Sequence, residues 1–186
     1  FVLTSDHGEE LLEHGGWNHG QNLYDHQLHV PLLIRLPLAR EAGRRVSSLM
    51  SLIDLMPTLT ALGGIEAPAG ILGHDFAAAL RGAPAPDLTA VFAEGVNGNP
   101  RMSGVRTISK KLVWDERRGE LELFDLSKDP EECRDLSAED QDSVLKLESY
   151  LTSQRARNEA RGALAPETIG IDGELEEQLK ALGYVQ

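Results

Sequence analysis

A short apolar run opens the chain at residues 1–4 (FVLT) and ends abruptly in the polar residues 5–8 (SDHG). Such a run, bounded by glycine and polar side chains, is typical of a buried strand, and residues 31–36 (PLLIRL) repeat the pattern. Leucines recur at helical spacing between Asp54 and Ile65, and two glycines precede Ile65 as a stop signal. These strands and this helix predict an α/β arrangement, with Asp54 as the helix N-cap.

The sequence pattern changes after an Ala-Pro-Ala-Pro segment at residues 83–86. Four short runs of β-forming residues, separated by turn residues, predict a small antiparallel sheet. These runs lie at 89–93, 104–108, 111–115 and 121–125. We therefore predict two domains, the first over residues 1–84 and the second, an α+β layer, over residues 85–186.

Two helices are predicted to accompany this sheet. Val144, Leu147 and Leu151 mark one apolar face of a helix over about 140–160. A last helix is expected over 174–182. The second domain therefore combines an antiparallel sheet with packed helices.

Charge and composition exclude several classes of protein. The 186 residues carry 18 Lys and Arg against 30 Asp and Glu, a formal net charge of −12 at pH 7. Such an acidic chain is a poor candidate for binding nucleic acid or anionic membranes. No segment approaches the roughly 20 apolar residues that a membrane-spanning helix needs. Cys133 is the single cysteine, which excludes an internal disulfide, and it has no metal-ligand spacing.

A carboxylate and an imidazole stand side by side at the end of the first predicted strand, as Asp6 and His7. In open α/β sheets, ligands bind at the carboxyl ends of the strands, where both side chains would reach one metal ion. These donors suit zinc, manganese or iron, and the carboxylate also suits calcium or magnesium. An alternative stays open, in which Asp6 caps a turn and His7 is hydrogen-bonded nearby.

Two further histidines, His14 and His19, each stand beside a glycine in the polar stretch 6–21, which we expect to lie outside the core. A histidine in this place would protonate a leaving group or bind an anion. The alternative is a surface loop with solvated histidines. For His26 and His29 we expect a structural role.

The order of short motifs resembles the C-terminal half of a sulfatase, a family of the alkaline-phosphatase-like superfamily. The matching segments are 1–9 (FVLTSDHGE), 13–15 (EHG), 23–25 (LYD), 29–34 (HVPLLI), 51–58 (SLIDLMPT), 73–76 (GHDF), 105–107 (VRT), 111–113 (KLV), 123–126 (LFDL) and 129–131 (DPE). The resemblance implies an alkaline-phosphatase-like sandwich with a partial central sheet and helices, followed by the small α+β layer.

The resemblance also implies that part of the site lies elsewhere. We expect the chain to be the C-terminal part of a longer protein, because it begins within a predicted strand. The formylglycine nucleophile of sulfatases would then lie in the missing N-terminal part, and the isolated chain would be inactive. Its first strand would present an exposed apolar edge.

By resemblance, Asp6 and His7 match a pair of residues that helps hold a divalent cation. Calcium is favoured by the resemblance, whereas the imidazole would suit zinc or manganese better. His19 stands where many family members carry a lysine that contacts the sulfate and the leaving-group oxygen. His14 is a weaker candidate for the catalytic pocket. Arg106 and Lys111 are expected at the surface, and for Arg106 a position at the rim of the pocket is the alternative.

The resemblance favours a metal-dependent sulfuric ester hydrolase acting on a small-molecule or carbohydrate ester. A phosphate or phosphonate ester hydrolase or transferase of the same superfamily is the first alternative. A catalytically incompetent fragment or a degenerate binding protein is the second. A periplasmic or extracellular location is expected by family resemblance.

Overall fold

The computed structural model describes residues 1–95, 101–161, 173 and 177–179. The chain forms two compact units, Phe1–Ser153 and Gln154–Gln186. The division near residue 84 stays a prediction. The helix predicted over 174–182 lies outside the described residues, except for 177–179.

Eight strands and four α-helices have defined bounds in the described part of the chain, where residues 173 and 177–179 are also helical. The strands are β1 (Val2–Thr4), β2 (Glu10–Leu11), β3 (Trp17–Asn18), β4 (Leu32–Ile34), β5 (Val91–Glu94), β6 (Met102–Arg106), β7 (Lys110–Asp115) and β8 (Glu120–Asp125). The helices are α1 (Asp25–Leu28), α2 (Leu55–Gly63), α3 (Ala77–Leu80) and α4 (Gln141–Ala160), with 3-10 turns at Pro37–Ala39 and Leu52–Asp54.

The first two predicted strands pair with each other. β1 and β4 run antiparallel, with Leu3 opposite Leu33. The prediction that both strands are buried is wrong for these residues, since Leu3 is 49% exposed and Leu33 is 56% exposed. Within the described residues their sheet consists of these two strands, so the apolar side chains are exposed, as expected for an exposed apolar edge.

The predicted antiparallel sheet is confirmed in the order β5-β6-β7-β8. Helix α4 packs on one face of the sheet through the three apolar residues that its spacing predicted. The shared core contains Val105, Leu112, Leu123, Val144, Leu147 and Leu151. Each fully buried side chain of this kind contributes about 1.5–3 kcal/mol to folding, so this core strongly stabilises the packing of α4 on the sheet.

A second apolar cluster forms where the chain leading into α1 meets the sheet. Leu23 packs with Val113, Phe124 and Leu126, and all four are buried. Val113 follows Leu112 on β7, and successive strand residues point to opposite faces. The sheet therefore lies between α4 and the segment that enters α1, and this fixes the position of α1.

Helix α2 forms as predicted, but Asp54 does not cap it with its side chain. Asp54 is instead 1% exposed, and its carboxylate accepts hydrogen bonds from the backbone N–H groups of Ser51 and His74, both at 2.7 Å. The preceding 3-10 turn places Asp54 at its third position, where it completes a capping box with Ser51. Asp54 therefore joins the start of α2 to the segment containing His74.

No helix in the described ranges has both the length and the apolar character needed to cross a membrane.

Candidate functional site

The chain turns sharply after β1, and hydrogen bonds hold the turn. The Ser5 hydroxyl donates to the carbonyl oxygen of His7 at 2.6 Å, and the backbone N–H of His7 donates to Asp6 Oδ1 at 3.0 Å. The hydrogen bond from the His7 backbone lowers the pKa of the Asp6 carboxyl below its ordinary value. Asp6 is therefore a carboxylate at neutral pH, with its side chain 68% exposed.

The ring of His7 lies beside this carboxylate. Its Nδ1 is 3.0 Å from the carbonyl oxygen of Gly8, and its Nε2 is 3.7 Å from Asp6 Oδ2. A carbonyl only accepts hydrogen bonds, so the Nδ1 contact places the proton on Nδ1 and the lone pair on Nε2. One oxygen donor and one nitrogen donor thus face each other at the end of β1, an arrangement that fits a divalent cation.

Gly8 lies against the backbone of α1 and leaves no room for a side chain. Its N–H donates to the carbonyl oxygen of Gln27 at 2.8 Å, and a Cβ atom at this position would lie 2.0 Å from the carbonyl oxygen of His26. The sequence needs glycine here because of this contact. It holds the turn containing His7 directly on α1.

The short hairpin β2–β3 returns the chain to this turn. Its register pairs Glu10 with Asn18, and His19 follows immediately. The rings of His7 and His19 have centroids 4.0 Å apart, and His19 Nδ1 is 2.9 Å from Glu9 Oε1. His7, Glu9 and His19, hereafter the histidine–glutamate cluster, each offer one ligand atom within 4.8 Å of the others.

The hairpin is organised around the carboxylate of Glu10, which is 1% exposed. Its Oε1 accepts from the N–H groups of His14 at 3.0 Å and Gly16 at 2.8 Å, and its Oε2 accepts from the Asn22 side chain. Burial by itself raises the pKa of Glu10, but these hydrogen bonds outweigh burial and lower the pKa. The expectation that this stretch lies outside the core is wrong at Glu10, because its charge is fully hydrogen-bonded.

Gln27 fixes the segment that follows His19, a role that sequence reasoning missed. Its Oε1 accepts from the N–H of Gly20 at 2.8 Å, and its Nε2 donates to Asn22 Oδ1 at 2.8 Å. Gln27 is 3% exposed. The sequence gives no signal of this burial, because Gln27 stands in a polar segment. Only the folded structure shows the hydrogen-bond partners that stabilise it there.

His14 contacts a different group of side chains. Its ring stacks on Tyr24 with centroids 3.8 Å apart and meets His26 edge to face at 5.2 Å. Among the described atoms, His14 Nε2 is buried without a hydrogen-bond partner. These contacts give His14 a packing function, and its catalytic function stays a prediction.

A buried ionic cluster joins α1 to the four-stranded sheet; it consists of Asp25, Arg106, Lys111 and Glu132. The Nζ of Lys111 lies 2.8 Å from Asp25 Oδ1 and 2.7 Å from Glu132 Oε1, and Arg106 Nη2 lies 3.2 Å from Asp25 Oδ2. Burial by itself raises the pKa of Asp25, but Lys111 and Arg106 outweigh it and lower that pKa.

The expectation that Lys111 lies at the surface is therefore wrong, and for Arg106 the alternative at the rim of the pocket fits better, because this residue lines the cavity described next. The side chain of Lys111 is only 1% exposed, because Asp25 and Glu132 compensate its charge. Arg106 is half-buried against the same Asp25.

A cavity of about 1200 Å³ lies between the β1–β4 pair and strands β5 and β6. Its polar lining includes Asp6, Asp25 and Arg106, and its apolar lining includes Leu33 and Val105. The histidine–glutamate cluster does not line this cavity. The metal-ligating groups of the candidate site meet at the turn after β1, and among them Asp6 also lines the cavity.

Comparison with known proteins identifies related sequences. Residues 13–158 match the family described as N-sulphoglucosamine sulphohydrolase, C-terminal. Arylsulfatase K of Mus musculus is 31% identical over 163 residues, an overlap that covers 82% of this chain and 29% of the mouse protein. The chain spans about 30% of the length of the curated relatives that it matches.

Solved structures share the fold. BT1596, a 2-O GAG sulfatase, superimposes with a TM-score of 0.73 at 24% identity, covering 94% of this chain and 39% of that chain. BT4656, solved with its substrate D-Glucosamine-2-N, 6-O-disulfate, superimposes with a TM-score of 0.70 at 28% identity, covering 87% of this chain and 35% of that chain. The phosphonate monoester hydrolase of Agrobacterium radiobacter superimposes with a TM-score of 0.66 at 27% identity, covering 84% of this chain and 34% of that chain. The expected alkaline-phosphatase-like fold is thus confirmed.

Proposed function

This chain belongs to the sulfatase family as a C-terminal portion, and from that premise we propose that the protein containing it hydrolyses a sulfuric ester. The observation that carries the proposal is the meeting of His19 with His7 at the end of β1, with ring centroids 4.0 Å apart. Twelve residues separate them in sequence. Their contact brings together the residue that we propose binds the cation and the residue that we propose donates the proton.

Asp6 and His7 would hold the divalent cation, for which the resemblance favours calcium. When bound, the cation supplies positive charge that polarises the ester oxygens and orients the nucleophile. The lowered pKa of Asp6 supports this role, because the carboxylate is ionised at neutral pH and has no proton to lose before it binds a cation. Calcium needs further oxygen ligands, which the formylglycine part of a sulfatase would provide.

His19 would contact the sulfate or donate a proton to the leaving oxygen. The Glu9 carboxylate lies 2.9 Å from His19 Nδ1. A carboxylate only accepts hydrogen bonds, so it would keep a proton on Nδ1, and the proton for the leaving oxygen would come from Nε2 of the doubly protonated ring. The N–H of Gly20, the next residue, donates to Gln27 Oε1 at 2.8 Å and holds the backbone beside His19.

The substrate proposed is a carbohydrate sulfate. BT4656, a structural neighbour at 28% identity, was solved with a disulfated glucosamine as its substrate, which supports this class. With a formal net charge of −12, the chain repels an anion at long range. Local positive charge at the cation and at imidazole must therefore attract the substrate.

The experiment measures sulfate release from D-glucosamine-2-N,6-O-disulfate by a protein of the relatives' length that contains this chain. We expect sulfate release that depends on calcium and is at least about tenfold slower in His19→Ala. His19→Lys, which restores the residue type of many family members, should recover part of the loss.

A phosphonate ester hydrolase is the second candidate, favoured by the similarity to the Agrobacterium radiobacter enzyme at 27% identity. The same preparation is assayed with a phenyl phosphonate monoester. Faster cleavage of the phosphonate than of any sulfate ester would replace the first proposal with this one.

A further inference from the structure

We propose that His7, Glu9 and His19 form a binding site for a zinc-class cation, and that zinc bound there inhibits hydrolysis. The binding itself is a property of these three residues. Only the inhibition rests on the function proposed above. The proposal differs from the calcium site expected at Asp6 and His7, because it uses Glu9 and His19 in place of Asp6.

The three ligand atoms already lie close to the spacing that zinc requires. Zinc is bound tetrahedrally at about 2.0–2.2 Å, which places its ligands about 3.4 Å apart. Here His19 Nδ1 is 2.9 Å and His7 Nδ1 is 4.0 Å from the same Glu9 oxygen, and all three ligand atoms lie within 4.8 Å of one another. The two distances to the Glu9 oxygen therefore each differ from the tetrahedral spacing by about half an ångström.

The donor set selects the cation. Two imidazole nitrogens and one carboxylate oxygen suit zinc, with water as a fourth ligand. Calcium prefers six to eight oxygen ligands, and this cluster offers a single carboxylate. We therefore expect the cluster to bind zinc far more tightly than calcium.

The cluster is both preformed and accessible. The His7 turn is fixed on α1 through Gly8, and His19 is fixed by the hairpin that Glu10 organises. The side chains of His7, Glu9 and His19 are 32%, 47% and 31% exposed. A cation from solvent can thus reach these three side chains, and binding costs little conformational entropy because the backbone that bears them is already fixed.

Zinc in this site removes two groups from hydrolysis. Zinc takes the Nδ1 lone pair of both rings, so the proton of each ring moves to Nε2, and the hydrogen bonds of His7 to Gly8 and of His19 to Glu9 are lost. His7 Nε2 then carries a proton and has no lone pair for the cation expected at Asp6, and the zinc-bound His19 ring cannot take up a second proton. Inhibition follows from ligand capture and requires no change in the fold.

Isothermal titration calorimetry with zinc chloride and calcium chloride tests the binding on the 186-residue chain. We expect one zinc per chain, with affinity lowered at least about tenfold in His19→Ala and in Glu9→Gln. His29→Ala is the matched control, since the His29 side chain is 72% exposed and lies outside the cluster. Circular dichroism confirms that each variant keeps its secondary structure, and cobalt substitution should give the visible bands of four-coordinate cobalt.

Two results would overturn the binding proposal: unchanged zinc affinity in both cluster variants, or an equal loss in His29→Ala. The inhibition is tested separately, by sulfate release from the longer protein at zinc concentrations that saturate the chain. An active enzyme that saturating zinc leaves unaffected overturns the inhibition. A protein that releases no sulfate under any condition overturns the proposed function and leaves the calorimetric result standing.

Discussion

The Nζ atom of Lys111, on β7, lies 2.8 Å from Oδ1 of Asp25, the first residue of α1 and 86 positions earlier in sequence. Lys111 also contacts Glu132, whose Oε2 accepts the backbone N–H of Asp25 at 2.6 Å. Three segments that are distant in sequence thus meet at one buried ammonium group. Since the His7 turn is fixed on α1, this contact also places the candidate site relative to the sheet.

Replacing Asp25 by asparagine should strongly destabilise the chain. The change removes one of the two carboxylates that compensate the buried Lys111, and with it the partner of Arg106. Breaking a buried ion pair in this way typically costs about 3–5 kcal/mol. Urea unfolding monitored by circular dichroism measures the loss. Asp87→Asn is the control, because Asp87 is exposed. A loss no larger than that of the control would contradict the structural function given to Asp25.

Replacing Glu122 by glutamine should stabilise the chain at neutral pH. Burial raises the pKa of Glu122, and Asp135 and Glu120 add to the effect, although the hydrogen bond from Tyr24 opposes it. When folding raises the pKa of a carboxyl, the protein loses stability as the pH rises through the raised pKa, because the fold disfavours the ionised form. The glutamine variant avoids this loss and still accepts a hydrogen bond from Tyr24.

Thermal unfolding between pH 4 and pH 8 measures this difference. The melting temperature of Glu122→Gln should exceed that of the wild type at pH 8, and the advantage should shrink toward pH 4. Glu94→Gln, at an exposed position on β5, should show no such trend. An advantage that is constant with pH would mean that the Glu122 charge is not its cause.

Replacing Glu10 by glutamine should loosen the hairpin that bears His14 and His19. Glutamine keeps one acceptor oxygen but places an amide donor opposite the Asn22 amide, and a buried unsatisfied group costs about 1–3 kcal/mol. Amide hydrogen exchange at Gly16, whose N–H donates to Glu10, measures the effect. Glu66→Gln, in an exposed segment, is the control.

This effect should depend on pH. The pKa of Glu10 is lowered in the folded state, so its contribution is present above the ordinary glutamate pKa and is lost as pH falls through the folded value. Protection of Gly16 in the wild type should therefore decline in acid. Equal protection in Glu10→Gln at neutral pH would show that the carboxylate does not hold the hairpin.

Replacing Gly8 by alanine should destabilise the turn after β1. The added Cβ would lie 2.0 Å from the His26 carbonyl oxygen, and relieving such overlap costs about 1–3 kcal/mol. Gly63→Ala is the matched control in α2, since its Cβ would meet Ile65 at an ordinary 3.5 Å. Chemical denaturation should show a loss in the first variant and none in the second.

The four-stranded sheet and α4 were predictable because their signals are local. Short runs of β-forming residues between turn residues define the strands, and the spacing of Val144, Leu147 and Leu151 defines the helix face that the structure buries. Residue type and order predict a site at Asp6, His7 and His19, and that assignment stays a prediction. The structure shows that His7 and His19 lie close together. This proximity requires the β2–β3 hairpin, which no periodic pattern in the sequence predicts.

The sequence did not predict which charged residues the fold buries. Glu10 and Lys111 read as surface residues, because a charged side chain is costly to bury without partners. Each is buried here with partners from distant segments, such as Asn22 for Glu10 and Asp25 for Lys111. Single-sequence reasoning finds the charge but not its partner, and so it places these residues outside the core.

The most direct test is the rate of sulfate release by a protein of the relatives' length containing this chain, compared between the wild type and Asp6→Asn. If Asp6 helps hold the cation, the wild type should release sulfate and Asp6→Asn should be slower by about 100-fold, a loss of about 2.7 kcal/mol in transition-state stabilisation. Equal rates in the two proteins, or cleavage of phosphonate esters without any sulfate release, would contradict the account.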